Sequence, residues 1–488
     1  MNKFFVCFCY CILTLAGLTA QSRLDTNTFI FRNLIPFSAT HVLTVQQNWN
    51  EDNLPAKLYM QVLNGTQPIP EKLVDLQKGS LKSTVKSIFA WNGKLNLLTS
   101  LYYPGPGRSN FIWQQFDPNT LKDEHSQIID AVATPYPALS STYLGYAISP
   151  DSSRIGFYSW IYAYSSDSVR LNIQVYNRKM EKEWSRQFKL PFNNNRFFIN
   201  DCGLRSNGEF FLFAENYLSK IGAETVIKAN RIEHLAFQFR PDRDTARIIR
   251  PVLAKGVFFS GLKFGIAPDE KLVGIGIWQA PRFATESGFF LLQLKSGEEA
   301  VSQNIEMLPK EMYARAERQA KQDSVLGENF APFGFYDFSI NKLVLQRDGQ
   351  VFVAANYYNT SLLMRFDAEK KLKYLSILPR MEYGFLRHIY DQDFLVKGDS
   401  TYCLFTQVND QLATPYKLIR IGENGELIHS TINSRVTTRR PKFSLNTNFC
   451  QMVGDQMVLL AATDSQVPFG NPRTVTLRVE KVDNVFKE

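Results

Sequence analysis

Lys342-Leu-Val-Leu-Gln-Arg-Asp-Gly-Gln-Val-Phe-Val-Ala-Ala-Asn-Tyr-Tyr-Asn-Thr-Ser-Leu-Leu-Met-Arg-Phe-Asp367 is the unit from which the chain is built. It reads as a strand (Leu343–Gln346), a tight turn (Arg347-Asp348-Gly349-Gln350), a second strand (Val351–Asn356), a loop and a third strand (Leu362–Phe366). Asp-Gly between two β-rich runs is a hairpin signal, because it accepts positive φ without strain. The third strand carries the pattern apolar, apolar, Gln or Arg, apolar as Leu363-Met364-Arg365-Phe366. The same pattern recurs around Gln61, Gln115, Gln174, Gln238, Gln293, Arg420 and Arg478, at intervals of 54 to 72 residues. Repetition at such a period signals a propeller or a solenoid.

The rest of the chain fits this unit. Tight turns are expected at Trp91-Asn92-Gly93-Lys94, Pro150-Asp151-Ser152, Asn207-Gly208, Pro268-Asp269, Gly398-Asp399 and Gly454-Asp455. Each precedes a run rich in β-branched and aromatic residues. Fourth strands are weaker but present, as in Lys72–Leu76, Trp184–Leu190, Ala246–Leu253 and Leu372–Leu378. Four antiparallel strands repeated eight times imply an all-β fold, a β-propeller of eight four-stranded blades, in which radial repetition leaves only short, protected edges. The blades are expected at roughly 29–77, 84–131, 142–190, 197–254, 258–308, 336–379, 384–433 and 446–488, within one domain spanning 21–488. Thr28–Arg32 is expected to lie near the chain end and help close the ring.

Ala147-Ile148-Ser149-Pro150-Asp151-Ser152 and Gly265-Ile266-Ala267-Pro268-Asp269-Glu270 resemble the Ser-Pro-Asp-Gly turn of bacterial exported propeller repeats. The resemblance implies architecture and export and names no activity, since one fold serves many functions.

Two segments depart from the rhythm. Residues 1–20 have a basic start (Lys3), an apolar run and a small residue, Ala20, which reads as a cleaved secretory signal and an exported protein. Residues 309–325 (Pro309 to Val325) are charged, Ala-rich and free of glycine, with proline leading. That is the composition of a helical insertion, with Met312, Ala316 and Ala320 as its apolar stripe. The insertion should leave the molecule on the same face as the loop at Tyr357.

Cys202, Cys403 and Cys450 remain after the signal, each within an expected strand, and are read as unpaired thiols. The net charge of +9 is spread along the chain, with no concentrated basic stripe, so nucleic acid is not an expected partner. No segment beyond the signal has the roughly 20 apolar residues of a membrane-spanning helix. Catalytic motifs are absent: no Gly-x-Ser-x-Gly, no His-Glu-x-x-His, no phosphate-binding glycine loop, and five dispersed histidines without metal spacing. No metal and no cofactor is expected.

Propeller topology then locates a working face. Loops from second to third strand and from blade to blade emerge on one face, the short turns on the other. The long-loop face gathers aromatic and amide residues: Trp49, Tyr102, Tyr103, Trp160, Tyr162, Tyr164, Glu215, Asn216, Tyr217, Trp278, Gln279, Asn356, Tyr357 and Tyr358. Such residues on a rigid scaffold suit protein contacts or sugar stacking. The expected function is therefore a noncatalytic, monomeric, exported propeller that binds a protein or glycan. The alternative is a polysaccharide hydrolase or lyase that uses carboxylates such as Asp201, Glu215, Asp337 or Asp464, with His388 or Arg387, at the central channel. The repeated Gln and Arg of the third strands are assigned a structural hydrogen-bonding role.

Overall fold

The structure, a computed structural model, describes residues 20–23, 29–36, 41–49, 55–64, 67–68, 72–78, 81–133, 142–161, 168–218, 232–254, 257–280, 287–322, 339–357, 360–379, 393–398, 400–406, 416–432, 443–453, 456–464 and 475–482. Among these residues eight antiparallel sheets follow one another. In the first seven, sequence order is spatial order, the meander that short hairpin turns enforce. The fourth blade runs Phe197–Leu204, Phe210–Tyr217, Ile232–Phe239, Arg247–Ile249. The fifth runs Phe258–Ile266, Leu272–Gln279, Ser287–Leu294, Ser302–Met307. First strands of neighbouring blades touch, and Phe443–Val453 of the eighth touches Phe29–Pro36 of the first, so the ring is closed around a channel lined by first strands. The expected eight-bladed propeller is the fold found.

The closing strand is not the one expected. Phe29–Pro36 is the first strand of the first blade, whereas Ala20–Arg23 completes the eighth blade by pairing with Val475–Val482, Ala20 opposite Val479 and Arg23 opposite Thr476. The C-terminal residues supply only three strands of that sheet, and the N-terminal strand fills the vacant edge.

Apolar burial lies between blades. Trp160, Val175 and Leu171 of the third blade share a cluster with Phe197, Phe210 and Phe237 of the fourth, and Phe211 and Phe213 share another with Phe264 and Phe290 of the fifth. Each sheet alternates its side chains between two such layers, which is why the second strands are apolar on both faces.

The third-strand amides do the structural work expected of them. Gln115 donates to Asn96 Oδ1 (2.8 Å), which also accepts from Trp113 Nε1, and Gln238 donates to Glu209 Oε2 (3.1 Å). Arg365 reaches Gln350 Oε1 (2.9 Å) and, in the next blade, the carbonyl of Gly398. All three are buried, where unpaired polar groups would be costly.

The insertion forms a helix, α1 (Lys310–Gln322), started by Pro309, whose carbonyl accepts the first helical bond from Tyr313 (3.1 Å). Ala316 and Ala320 are buried with Leu375 and Ile377 of the sixth blade. The chain leaves the fifth blade on the long-loop edge, where Leu308 N bonds Ser287 O (2.9 Å), as expected for a blade-to-blade link. The body of α1, however, lies on the outer wall against Leu372–Pro379, and Arg315 reaches the carbonyl of Asn424 in a short turn of the seventh blade.

Candidate functional site in the channel wall

In five blades the channel-lining strand carries one extra residue near its middle: Arg32, Lys86, Asn200, Ser260 and Asn341 each interrupt the register with the second strand. Such a bulge bends the strand and re-aims neighbouring side chains. The local sequences show why it forms there. Phe31-Arg32-Asn33, Val85-Lys86-Ser87, Ile199-Asn200-Asp201 and Ile340-Asn341-Lys342 put two polar residues in succession, and strict alternation would turn one of them into the apolar layer between blades. The extra residue lets both be accommodated.

In the fourth blade the bulge sets up a polar cluster. Asp201, just after it, pairs with Phe213, and Glu215 pairs with His234 on the next strand. Paired residues and residues two apart share a face, so Asp201, Phe213, Glu215 and His234 all point toward the fifth blade. There Phe213 stacks on Phe264 (centroids 5.4 Å apart, planes at 21°), and His234 meets Phe259 edge-on at 5.6 Å. Between them lies a cavity of about 380 Å³, lined also by Asn200, Ser260 and Lys263.

The electrostatics follow from this half-enclosed position. Burial pushes the Glu215 carboxyl above its usual range, against hydrogen bonds from Asn200 and from Tyr217, whose hydroxyl is 3.4 Å from Oε2. Burial lowers His234 to about 4, so at neutral pH an uncharged imidazole faces the carboxyl, with Nδ1 3.5 Å from Glu215 Oε1. Asp201 is likewise raised by burial, partly offset by the Cys202 amide (2.8 Å) and by the charge of Lys263. Lys263 itself is tied across the channel wall, its Nζ donating to the Asn341 carbonyl at 2.8 Å. The cavity thus presents two carboxyls, a neutral imidazole and one tethered ammonium beside aromatic rings.

Toward the short turns a second cavity, about 420 Å³, opens among Tyr146, Ile148, Cys202, Ile266, Leu345 and Arg347. First strands approach closely here: a Cβ on Gly203 would meet Ile266 Cγ1 at 2.6 Å. Cys202 is a free thiol whose Sγ donates to the Tyr146 carbonyl (3.0 Å), and burial pushes its pKa well up, which makes it unreactive. The backbones of Cys403 and Cys450 lie in strands, but their side chains fall outside the described part.

The residues expected on the long-loop face separate into three groups. Trp160 and Trp278, expected at exposed loop tips, are 2% and 5% exposed, and Gln279 is 3% exposed. Trp160 packs against Tyr143 and Phe197 and donates to Asn194 Oδ1 (2.9 Å); Trp278 donates to the carbonyls of Phe289 and Glu306 (both 3.2 Å). They sit one or two residues inside the strand end, where the next blade or the adjoining strand still covers them. Tyr102 and Tyr103 are half-buried and flank a four-residue turn closed by Gly107 N to Pro104 O (3.3 Å), not a long loop. Asn356 is half-buried and accepts from Ser361 Oγ (2.8 Å). Glu215, Asn216 and Tyr217 stand together at the strand end beside the cavity, with Asn216 donating to Glu233 (3.1 Å). Tyr162, Tyr164 and Tyr358, and the side chains of Trp49 and Tyr357, lie outside the described residues, as do Asp337, His388, Arg387 and the side chain of Asp464.

His234, Lys263 and the bulge residues were not singled out from sequence. Two polar residues in a row inside an otherwise alternating first strand was the available signal.

Among the described residues no three His, Cys, Asp or Glu side chains are grouped to hold a metal, and no helix is long and apolar enough to cross a membrane. No protein-family model matches the sequence, and no curated protein matches it either. Solved structures that resemble it include the Dos1 propeller, at 9% identity and a TM-score of 0.46 over 95% of each chain. The β-propeller domain of the Trilobed protease from Pyrococcus furiosus, described as having an open velcro topology, gives 10% identity and a TM-score of 0.39 over 86% of this chain and 100% of that one. The polysaccharide lyase Uly1 gives 7% identity and a TM-score of 0.36 over 94% and 90%.

Proposed function

We propose that the chain is an exported, noncatalytic propeller that binds a glycan on the long-loop side of its channel, seated in the cavity between the fourth and fifth blades. The observation that carries this reading is the cavity itself. A space of about 380 Å³ is the size of a small-ligand site, and this one offers hydroxyl-binding groups (Asn200, Asp201, Glu215, Ser260) beside the ring of Phe259. A saccharide needs that combination of polar edges and a flat apolar wall. A protein partner would draw on exposed aromatics, and Trp160 and Trp278 are packed inside. A glycan array followed by calorimetry on the whole chain tests the proposal. Binding that is lost in Glu215→Gln and Asp201→Asn at unchanged melting temperature supports it, and glycan binding unaffected by both substitutions refutes the seat.

One observation favours a second reading, cleavage of the bound polysaccharide. Asp201 and Glu215 line one cavity and are both raised by burial, and two carboxyls in one site are what acid and base roles need. Release of reducing ends from a bound glycan, abolished by either substitution, would establish this activity and displace the noncatalytic reading.

A further inference from the structure

We propose that the glycan seat is selective for a free amino group, so that its ligand is an amino sugar carrying a primary ammonium rather than a neutral, N-acetylated or acidic one. The inference rests on the glycan reading above and concerns which sugars the same cavity accepts.

Among the described residues, the charge of Lys263 offsets the burial of Asp201, and no cation does the same for Glu215. Lys263 is held by the Asn341 carbonyl on the sixth blade. His234 is enclosed between Glu215 and the edge of Phe259, an environment that keeps an imidazole uncharged. Among the described residues, the donors that meet Glu215 are neutral, the Tyr217 hydroxyl and the Asn200 amide. Arg250, which follows the fourth strand of that blade, pairs with Glu233 (2.8 Å). A carboxylate in a half-enclosed cavity is poorly compensated by neutral donors alone, whereas a charge-assisted N⁺–H···O⁻ bond is roughly twice as strong as a neutral one. An entering ammonium would supply that bond, and the neighbouring Phe259 ring adds a face able to attract a cation. An acidic sugar would instead set its carboxylate against Glu215 and Asp201. An acetamido group would bring bulk without charge.

Calorimetric titration of the whole chain with a glucosamine tetrasaccharide, its fully N-acetylated counterpart, cellotetraose and a galacturonic acid tetrasaccharide separates these cases. The free-amine oligomer should bind roughly 10- to 100-fold more tightly than the N-acetylated one, the span of one charge-assisted hydrogen bond. Glu215→Gln, which keeps shape and removes charge, should bring the free-amine oligomer down to the affinity of its N-acetylated counterpart. Asp201→Asn provides a second removal of charge should Glu215→Gln fold poorly. Equal affinity for amine and N-acetylated oligomers, or a preference that survives both substitutions, overturns the inference while leaving the glycan reading standing. Binding of none of the four probes overturns both.

Discussion

At the scale of single residues, the most informative difference between sequence and structure is Trp160. An aromatic at a strand end next to other aromatics suggests a binding surface, yet its indole is buried between the third and fourth blades and hydrogen-bonded to Asn194. Trp160→Ala is therefore expected to destabilise the fold by about 3–5 kcal/mol, the cost of removing a large buried ring. Urea denaturation reads it directly, and an unchanged midpoint would mean that the ring is not core. Nothing local to Trp160 could have revealed this, because the covering groups, Phe197 and Asn194, come from the neighbouring blade. Arg205 is fully buried at a short turn and joins blades: it binds Glu209 Oε2, and the carbonyls of Glu270 and Leu294 (2.7 Å each) in the fifth blade. Arg205→Ala leaves Glu209 buried, with Arg240 (3.1 Å) its remaining ion-pair partner among the described residues, so a loss of about 3–5 kcal/mol is expected. His234 sets a pH dependence. Its folded pKa, about 4, lies below the ordinary value near 6.5, so the unfolded chain takes up the proton first as pH falls. The stability due to this neutral imidazole is complete above roughly pH 6.5 and drains away toward pH 4. Glu215 and Asp201, both raised by burial, act in the opposite sense, while Tyr217, also raised by burial, stays neutral across that window. The effect is thus read as a difference: His234→Phe should be less sensitive than the parent to acidification from pH 6.5 to 4. A parallel pair of stability curves would show that His234 is solvated.

At the scale of elements, the hairpins, their turns and the helix were legible because each has a local cause. Asp348-Gly349 does adopt the turn that its residues favour, with Gly349 at φ +84. Ser149-Pro150-Asp151-Ser152 is a self-capped turn in which Asp151 Oδ1 accepts from Ser149 Oγ (2.7 Å) and from Ser153 N (3.0 Å), while Ser152 takes φ +56. Burial of Asp151 opposes its ionisation, but these hydrogen bonds outweigh it and hold the carboxyl well below the usual range. The bulges were less legible, since alternation fails for many reasons and only pairing with the second strand shows that a residue is extra. Packing across strands was not legible at all. Gly288, the second residue of a third strand, reads as a mere weak point, yet a Cβ there would lie 1.9 Å from the Glu306 carbonyl and 2.8 Å from the Trp278 ring. The missing side chain is what lets the Trp278 indole cross its neighbours and donate to two carbonyls. Gly288→Ala should cost at least the 1–3 kcal/mol typical of overpacking, because a backbone oxygen cannot move aside. A thermal melt of this single variant checks it, and parental stability would contradict the packing described.

At the scale of the whole molecule, the repeat fixes how many blades there are but not how the ring is sealed. Repeats are visible because each is a full supersecondary unit; the sealing strand, Ala20–Arg23, is four residues with no pattern of its own, lying next to an apolar run that reads as a signal. Its role emerges only from the deficit at the other end, where the last sheet has three strands and an open edge. Pairing Ala20–Arg23 with Val475–Val482 in one sheet makes the ring resist opening between the eighth blade and the first, since those blades cannot part without breaking these ladder bonds. A chain beginning at Asn27 should therefore keep seven blades intact and lose the outer partner of Val475–Val482. With about two to four ladder bonds at 0.5–1.5 kcal/mol each, the expected loss is roughly 1–6 kcal/mol. Hydrogen exchange locates it. Amides of residues 475–482 should lose protection in the shortened chain relative to one beginning at Gln21, while those of the fourth and fifth blades, and glycan binding in their cavity, should be unchanged. Equal protection of 475–482 in both chains would show that the N-terminal strand does not seal the ring, and a loss spread evenly over all blades would show that closure is needed to hold the entire propeller.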